Sequence, residues 1–240
     1  MTAAMQEATR QEIALQAGAE TLAADIISAP GCGAPQMLFL HGAGQSTRRR
    51  QWPVREALAL MGHASAAIDF SGHGDSSALQ ANSLAKRLAE AQTALDQLCQ
   101  APRTVAGVSM SGEIAMRLAC RAENRIDHLV TIVGAIYDGA AFELPFGPDF
   151  SAALRRPESW REAQSLQLIA SYPGRITLVR AAEDKVVPGE IADLIRQHAR
   201  AAAMCRIVDL PGVDHRVSER SAEDSELCGL LARLIAGQAE

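Results

Sequence analysis

The sequence predicts an α/β protein in which a mostly parallel, eight-stranded sheet carries helices on both faces. Three observations point there. Short, nearly continuous apolar runs at residues 36–40, 64–70 and 127–133 have the length and composition of strands buried on both faces. Stretches of helical period lie between them, and strand–helix alternation of this kind builds parallel sheets. Before the alternation begins, residues 11–15 and 21–28 flank an Ala-Gly-Ala-Glu turn, the pattern of an opening hairpin.

Composition bounds the rest. A chain of 240 residues is long enough for one large domain with a buried sheet, and residues 1–240 are read as a single domain. With 48% apolar and 21% charged residues it is built to fold, which excludes a disordered chain. A net charge of −5 gives no reason to expect a nucleic-acid partner. Cys32, Cys99, Cys120, Cys205 and Cys228 are scattered, with no Cys-x-x-Cys pair, so a reducing, cytoplasmic setting is expected rather than a disulfide framework. Glu7, Arg10 and Glu12 interrupt any apolar leader, and no run approaches a membrane span, so neither a signal peptide nor a membrane partner is expected.

In chain order, residues 1–9 read as a loose tail, followed by the hairpin and a loop at 31–35. The strand at 36–40 ends in His41-Gly42-Ala43-Gly44. A helix is predicted over 52–61, with Pro53 in its first turn and Gly62 past its end. The strand at 64–70 closes in Asp69-Phe-Ser-Gly72-His73-Gly74-Asp75-Ser76, after which Asn82 caps a long helix reaching Cys99. A strand rising from residue 103 and its helix come next, then the strand at 127–133. Residues 139–173 break the pattern and crowd Phe142, Phe146, Phe150 and Trp160 together. Strands follow at 175–180 and 206–210, a helix at 189–203, and a closing helix at 222–236.

The stretch Gly107-Val-Ser109-Met-Ser111-Gly112 has the layout of a nucleophile elbow. That is a sharp strand-to-helix turn lifting one serine above the sheet edge. It demands strained angles at Ser109 and small residues around it, which Gly107 and Ser111 supply. The usual pattern is Gly-x-Ser-x-Gly; here Ser111 replaces the last glycine and Gly112 follows. In a parallel sheet, reactive groups gather at the carboxyl ends of the strands. Four such ends carry them: the loop from His41 to Gly44, Ser109, Asp184 and His215.

With these pieces in place, the chain resembles the α/β-hydrolase-fold serine hydrolases of esterase and thioesterase type. The matching motifs are Leu40-His41-Gly42-Ala43-Gly44, Asp69-x-x-Gly72-x-Gly74-x-Ser76, Gly107-Val-Ser109-Met-Ser-Gly112, Asp184-x-x-x-Pro188 and Gly212-x-x-His215. The resemblance spans residues 11–236, and the order nucleophile, acid, histidine is that of this fold. It implies Ser109 as nucleophile, His215 as base and Asp184 as the acid that orients it. The oxyanion hole falls to the N–H groups of Ala43 and Met110. A small lid at 139–173 would bring Phe142, Phe146 and Trp160 over the serine. The expected reaction is cleavage of an ester or thioester of a small-molecule acyl substrate, with no cofactor and no metal. An acyltransferase or cyclase using the same acyl-enzyme, amide or carbon–carbon cleavage, and a binding protein without chemistry are the alternatives. Substrate and oligomeric state lie beyond the sequence.

Other residues have competing readings. Asp138, after the preceding strand, rivals Asp184 as the acid. Glu183 adjoins Asp184 but points the other way on an extended segment. Asp214 reads as loop solvation. His41 and His73 read as turn-shaping residues, and His63, His128 and His198 as surface or packing residues. Asp69 is expected to cap the N–H groups of the turn that follows it. Phe142 to Trp160 could also be simple core. Arg48-Arg49-Arg50 is expected to be a solvated loop, with an anionic substrate group as the second option.

Overall fold

The computed structural model describes residues 7–238. Residues 1–6 of the expected tail lie outside them, and Thr9 already belongs to the first strand. The hairpin pairs β1 (Thr9–Ala17) with β2 (Glu20–Ser28) in antiparallel register, Thr9 opposite Ser28. The two-residue turn between them is possible because Gly18 takes φ +59°.

The remaining strands are β3 (Met37–Leu40), β4 (Ser65–Ile68), β5 (Thr104–Val108), β6 (His128–Ile132), β7 (Arg175–Ala181) and β8 (Met204–Leu210). They form one eight-stranded sheet in the order β1-β2-β4-β3-β5-β6-β7-β8. β1 and β2 are antiparallel to each other and β2 to β4; every other pair is parallel. β3 to β6 are buried along their whole length, which is why their sequences lack alternation.

The period of two along each strand feeds two separate cores. Leu38, Leu40, Val105 and Leu129 face a layer with α2 (Leu84–Leu98), α3 (Ser111–Ala119), α6 (Ser165–Ile169) and α7 (Glu190–His198). Met37, Phe39, Ala106 and Val130 face the other, with α1 (Trp52–Leu60), α8 (Val217–Glu223) and α9 (Ser225–Ile235). Between β6 and β7, residues 139–173 form α4 (Gly139–Phe142), α5 (Pro148–Leu154), a 3₁₀ turn over Ser159–Glu162 and then α6.

Three local expectations are corrected. Ser83, not Asn82, caps α2: its Oγ accepts from the Lys86 N–H at 3.0 Å. The Asn82 side chain instead donates to the Ser71 carbonyl at 2.7 Å. The closing helix is two helices. Asp224 turns extended and its carboxyl accepts from the N–H groups of Glu226 and Leu227, starting α9 afresh. The helix expected to reach residue 203 ends at His198, because the N–H groups of Ala201 and Ala203 leave it for the carbonyls of Ala170 and Pro173. No helix among the described residues is long and apolar enough to cross a membrane. The five cysteines are free thiols.

Candidate active site

β5 delivers Ser109 at its carboxyl end. A Cβ on Gly107 would stand 2.1 Å from the Ser111 carbonyl oxygen and 2.8 Å from the Ala115 Cβ, so strand and helix approach closer than any side chain allows. Ser109 takes φ +50°, a conformation that costs a non-glycine residue on the order of 1–3 kcal/mol. Three backbone bonds hold it there. Its N–H donates to the Ile132 carbonyl, and its carbonyl accepts from the N–H groups of Gly112 and Ala135, all at 2.9 Å. Ser111 does more than fit. Its buried hydroxyl donates to the His41 carbonyl at 2.5 Å, tying the elbow to the loop after β3.

His215, on the loop after β8, places Nε2 2.9 Å from the Ser109 Oγ. Its Nδ1 lies 2.8 Å from Oδ2 of Asp184, on the loop after β7. The other oxygen of Asp184 accepts from the N–H groups of Val186 and Val187 at 2.7 and 2.9 Å, which fixes the carboxyl in rotation. The Asp184 side chain is 4% exposed and that of His215 21%, so the line runs from the interior to an accessible imidazole. Its rivals are engaged elsewhere. Asp138 caps α4 through the Ala140 N–H and pairs with Arg156. Asp214 binds Arg216, and Glu183 is exposed.

The loop after β3 closes over the serine. A Cβ on Gly42 would meet the Ser109 Cβ at 3.3 Å, so glycine permits this approach. The N–H groups of Ala43 and Met110 donate no hydrogen bond among the described residues. Met110 stands immediately before α3, whose amino end adds positive potential. His41 is fully buried; its Nε2 accepts from the Phe70 N–H at 3.0 Å and its Nδ1 lies 2.8 Å from the Gly42 carbonyl oxygen. Burial first, and then the Arg87 cation, holds this imidazole well below the usual histidine range. It is a neutral, loop-shaping residue, as the sequence suggests.

Residues 35–152 match the model of the α/β hydrolase fold family. A stretch of 104 residues is 31% identical to Esterase Rv0045c of Mycobacterium tuberculosis, covering 42% of this chain and 34% of that esterase, about a third of its length. The thioesterase domain from the curacin biosynthetic pathway superposes with a TM-score of 0.72 at 18% identity, over 96% of this chain and 100% of that one. Est1E from Butyrivibrio proteoclasticus, solved with ferulic acid, gives 0.70 at 19% identity over 94% and 100%. This is an α/β-hydrolase-fold protein.

The segment between β6 and β7 of this α/β-hydrolase fold sorts the three expected lid residues. Phe142 packs into the core with the Arg117 guanidinium 3.7 Å over its ring. Trp160 is half-buried beside Arg161. Phe146 is half-buried against Phe150, with the guanidinium of Arg87 5.3 Å from its ring.

The arginine run is corrected. Arg48 is not solvated: it is buried and bonded to Asp25, Asp69 and Glu12. Arg49 pairs with Asp75 and Arg50 with Glu219. All three cations therefore have protein carboxylates as partners. Of the turn that follows it, Asp69 accepts the Asp75 N–H at 3.4 Å; it also accepts the Arg48 N–H at 2.6 Å and pairs with the Arg48 guanidinium. Sequence reasoning passed over Arg87 and the hydrogen-bonding role of Ser111. A helical arginine within an otherwise amphipathic pattern carries no local signal of what it touches.

Proposed function

We propose that the protein is a serine hydrolase that cleaves an ester or thioester through a covalent acyl-serine intermediate. The observation behind this reading is the unbroken line Ser109 Oγ, His215, Asp184, with two free N–H groups beside its reactive end. A serine hydroxyl needs a base within hydrogen-bond reach to act as a nucleophile, and 2.9 Å satisfies that.

The Ser109 oxygen attacks the substrate carbonyl carbon as its proton passes to His215 Nε2. The carbonyl oxygen takes the negative charge and is received by the N–H groups of Ala43 and Met110; a donor of this kind is worth about 3–4 kcal/mol of barrier. The intermediate collapses, the carbon–oxygen or carbon–sulfur bond breaks, and the leaving group departs with the proton from His215. Water then gives a proton to His215 and attacks the acyl carbon, releasing the acid and restoring Ser109. Throughout, Asp184 holds Nδ1–H and balances the imidazolium. Residues 139–173 act as a partial lid, with Phe146 meeting the Arg87 guanidinium that also bonds the Gly42 carbonyl of the oxyanion loop. The esterase relative and the thioesterase neighbour favour ester and thioester bonds over amides.

The test is labelling with a fluorophosphonate probe together with turnover of p-nitrophenyl acetate. Wild-type protein labels and gives a burst; Ser109→Ala does neither. Labelling that survives in Ser109→Ala overturns the assignment. Product analysis with added alcohols and amines separates hydrolysis from acyl transfer, and the free acid is the expected product.

A further inference from the structure

One buried cation has no place in that reaction scheme. Arg87, on the first turn of α2, is 1% exposed, and no carboxylate among the described residues lies within ion-pair distance of its guanidinium. Burial pulls it down to about 10. It sits over the ring of Phe70 at 4.6 Å and that of Phe146 at 5.3 Å. Its Nη2 lies 3.0 Å from His73 Nε2, and its Nε has no partner. Its Nη1 donates to the Gly42 carbonyl oxygen at 3.2 Å. That same oxygen lies 2.8 Å from His41 Nδ1, whose ring is oriented as a donor because Nε2 accepts from the Phe70 N–H.

The Gly42 carbonyl and the Ala43 N–H belong to one peptide unit. A trans peptide is planar, and its C=O and N–H point in opposite directions. Two donors on the carbonyl oxygen therefore fix the direction of the N–H on the other side, next to Ser109. A cation on the carbonyl also polarises the amide and strengthens its N–H as a donor. Buried charge with no carboxylate in ion-pair contact is costly; the Glu90 carboxylate three residues on, the carbonyl dipole and two aromatic faces offset it here.

Resting on the serine-hydrolase reading, we propose that Arg87 is a positioning residue for the oxyanion hole. It acts through the Gly42 carbonyl to aim and polarise the Ala43 N–H, with His41 as the second, neutral clamp. The guanidinium touches no substrate atom.

The test compares Arg87→Gln, Arg87→Met and Arg87→Lys in the full chain. Losing an oxyanion donor outright costs about a hundredfold to a thousandfold in kcat, so losing its positioner is expected to cost about tenfold or more. In Arg87→Gln and Arg87→Met, kcat for p-nitrophenyl acetate falls by that factor while KM stays within about twofold, the mark of an interaction made in the transition state. Arg87→Lys keeps the charge and recovers most of the loss. In 15N-labelled protein the Ala43 amide resonance shifts in Arg87→Gln and moves back in Arg87→Lys, which reads the coupling without turnover. An unmoved Ala43 resonance, or a KM rise at constant kcat, overturns the proposal. Failure of the parent reading shows separately, as Ser109→Ala protein that still labels.

Discussion

The Ser111 hydroxyl lies 2.5 Å from the carbonyl oxygen of His41, so the residue that departs from the usual elbow pattern joins the two loops around the serine. A glycine there would give the same clearance but no bond. Ser111→Ala is expected to lower stability by about 1–2 kcal/mol, the range for a buried hydrogen bond whose acceptor is stranded. Ser111→Gly adds the backbone entropy of glycine, roughly 0.5–1 kcal/mol more. Urea unfolding of the two variants checks both values and their order.

Asp184 and Asp138 follow neighbouring strands, yet only Asp184 reaches the imidazole. Asp184→Asn is expected to lower kcat on the order of ten-thousandfold with the fold intact. Asp138→Ala removes a cap and an ion pair with Arg156 and leaves kcat within about twofold, its effect falling on stability at about 1 kcal/mol. Steady-state kinetics and melting of the two variants separate the roles.

His128 is buried in β6 with Nε2 2.9 Å from the Thr177 hydroxyl. Burial, and after it Arg175 and Arg206, pulls its imidazole from the usual 6.5 down to about 4. Between those values the unfolded chain binds a proton that the folded chain refuses. Stability therefore falls as pH drops from 6.5 toward 4, by about 2 kcal/mol between pH 7 and 5 from this residue. His41 adds a loss of the same sign. In His128→Gln the slope of stability against pH over this window flattens by that amount, measured by urea unfolding at each pH.

Asp25 is fully buried. One oxygen pairs with Arg55, and the other accepts from Arg48 Nε at 3.1 Å and Trp52 Nε1 at 2.8 Å. Asp25→Ala strips two buried guanidinium groups of a shared counter-charge and is expected to destabilise by about 3–5 kcal/mol. Arg49→Ala, which breaks the exposed pair with Asp75 and a 5.8 Å contact with the Trp52 ring, is expected to change stability by under about 1 kcal/mol. Thermal melts of the pair test the contrast.

The sheet was legible because its strands write their burial into the chain. β3 is apolar throughout and β6 nearly so, since both of their faces are covered. Elements fixed by side-chain caps were read less well. Asn82 and Ser83 are both competent caps, and which one turns toward the helix depends on whether Ser71 offers Asn82 another partner. Asp224 broke the last helix for a similar reason, its carboxyl finding N–H groups ahead of it rather than solvent.

By itself the sequence determined the order of strands and helices, the crowded turn at Gly107 and Ser109, and the set of side chains able to do chemistry. These follow from local rules: burial period, steric room and residue type act within a few positions. Only the tertiary structure decided that Asp184 rather than Asp138 meets His215, that Arg48 is buried among carboxylates, and that Arg87 bonds the Gly42 carbonyl. Each of those pairings joins residues from distant elements, and the direction a side chain takes across such a gap is set by packing, which no local pattern records.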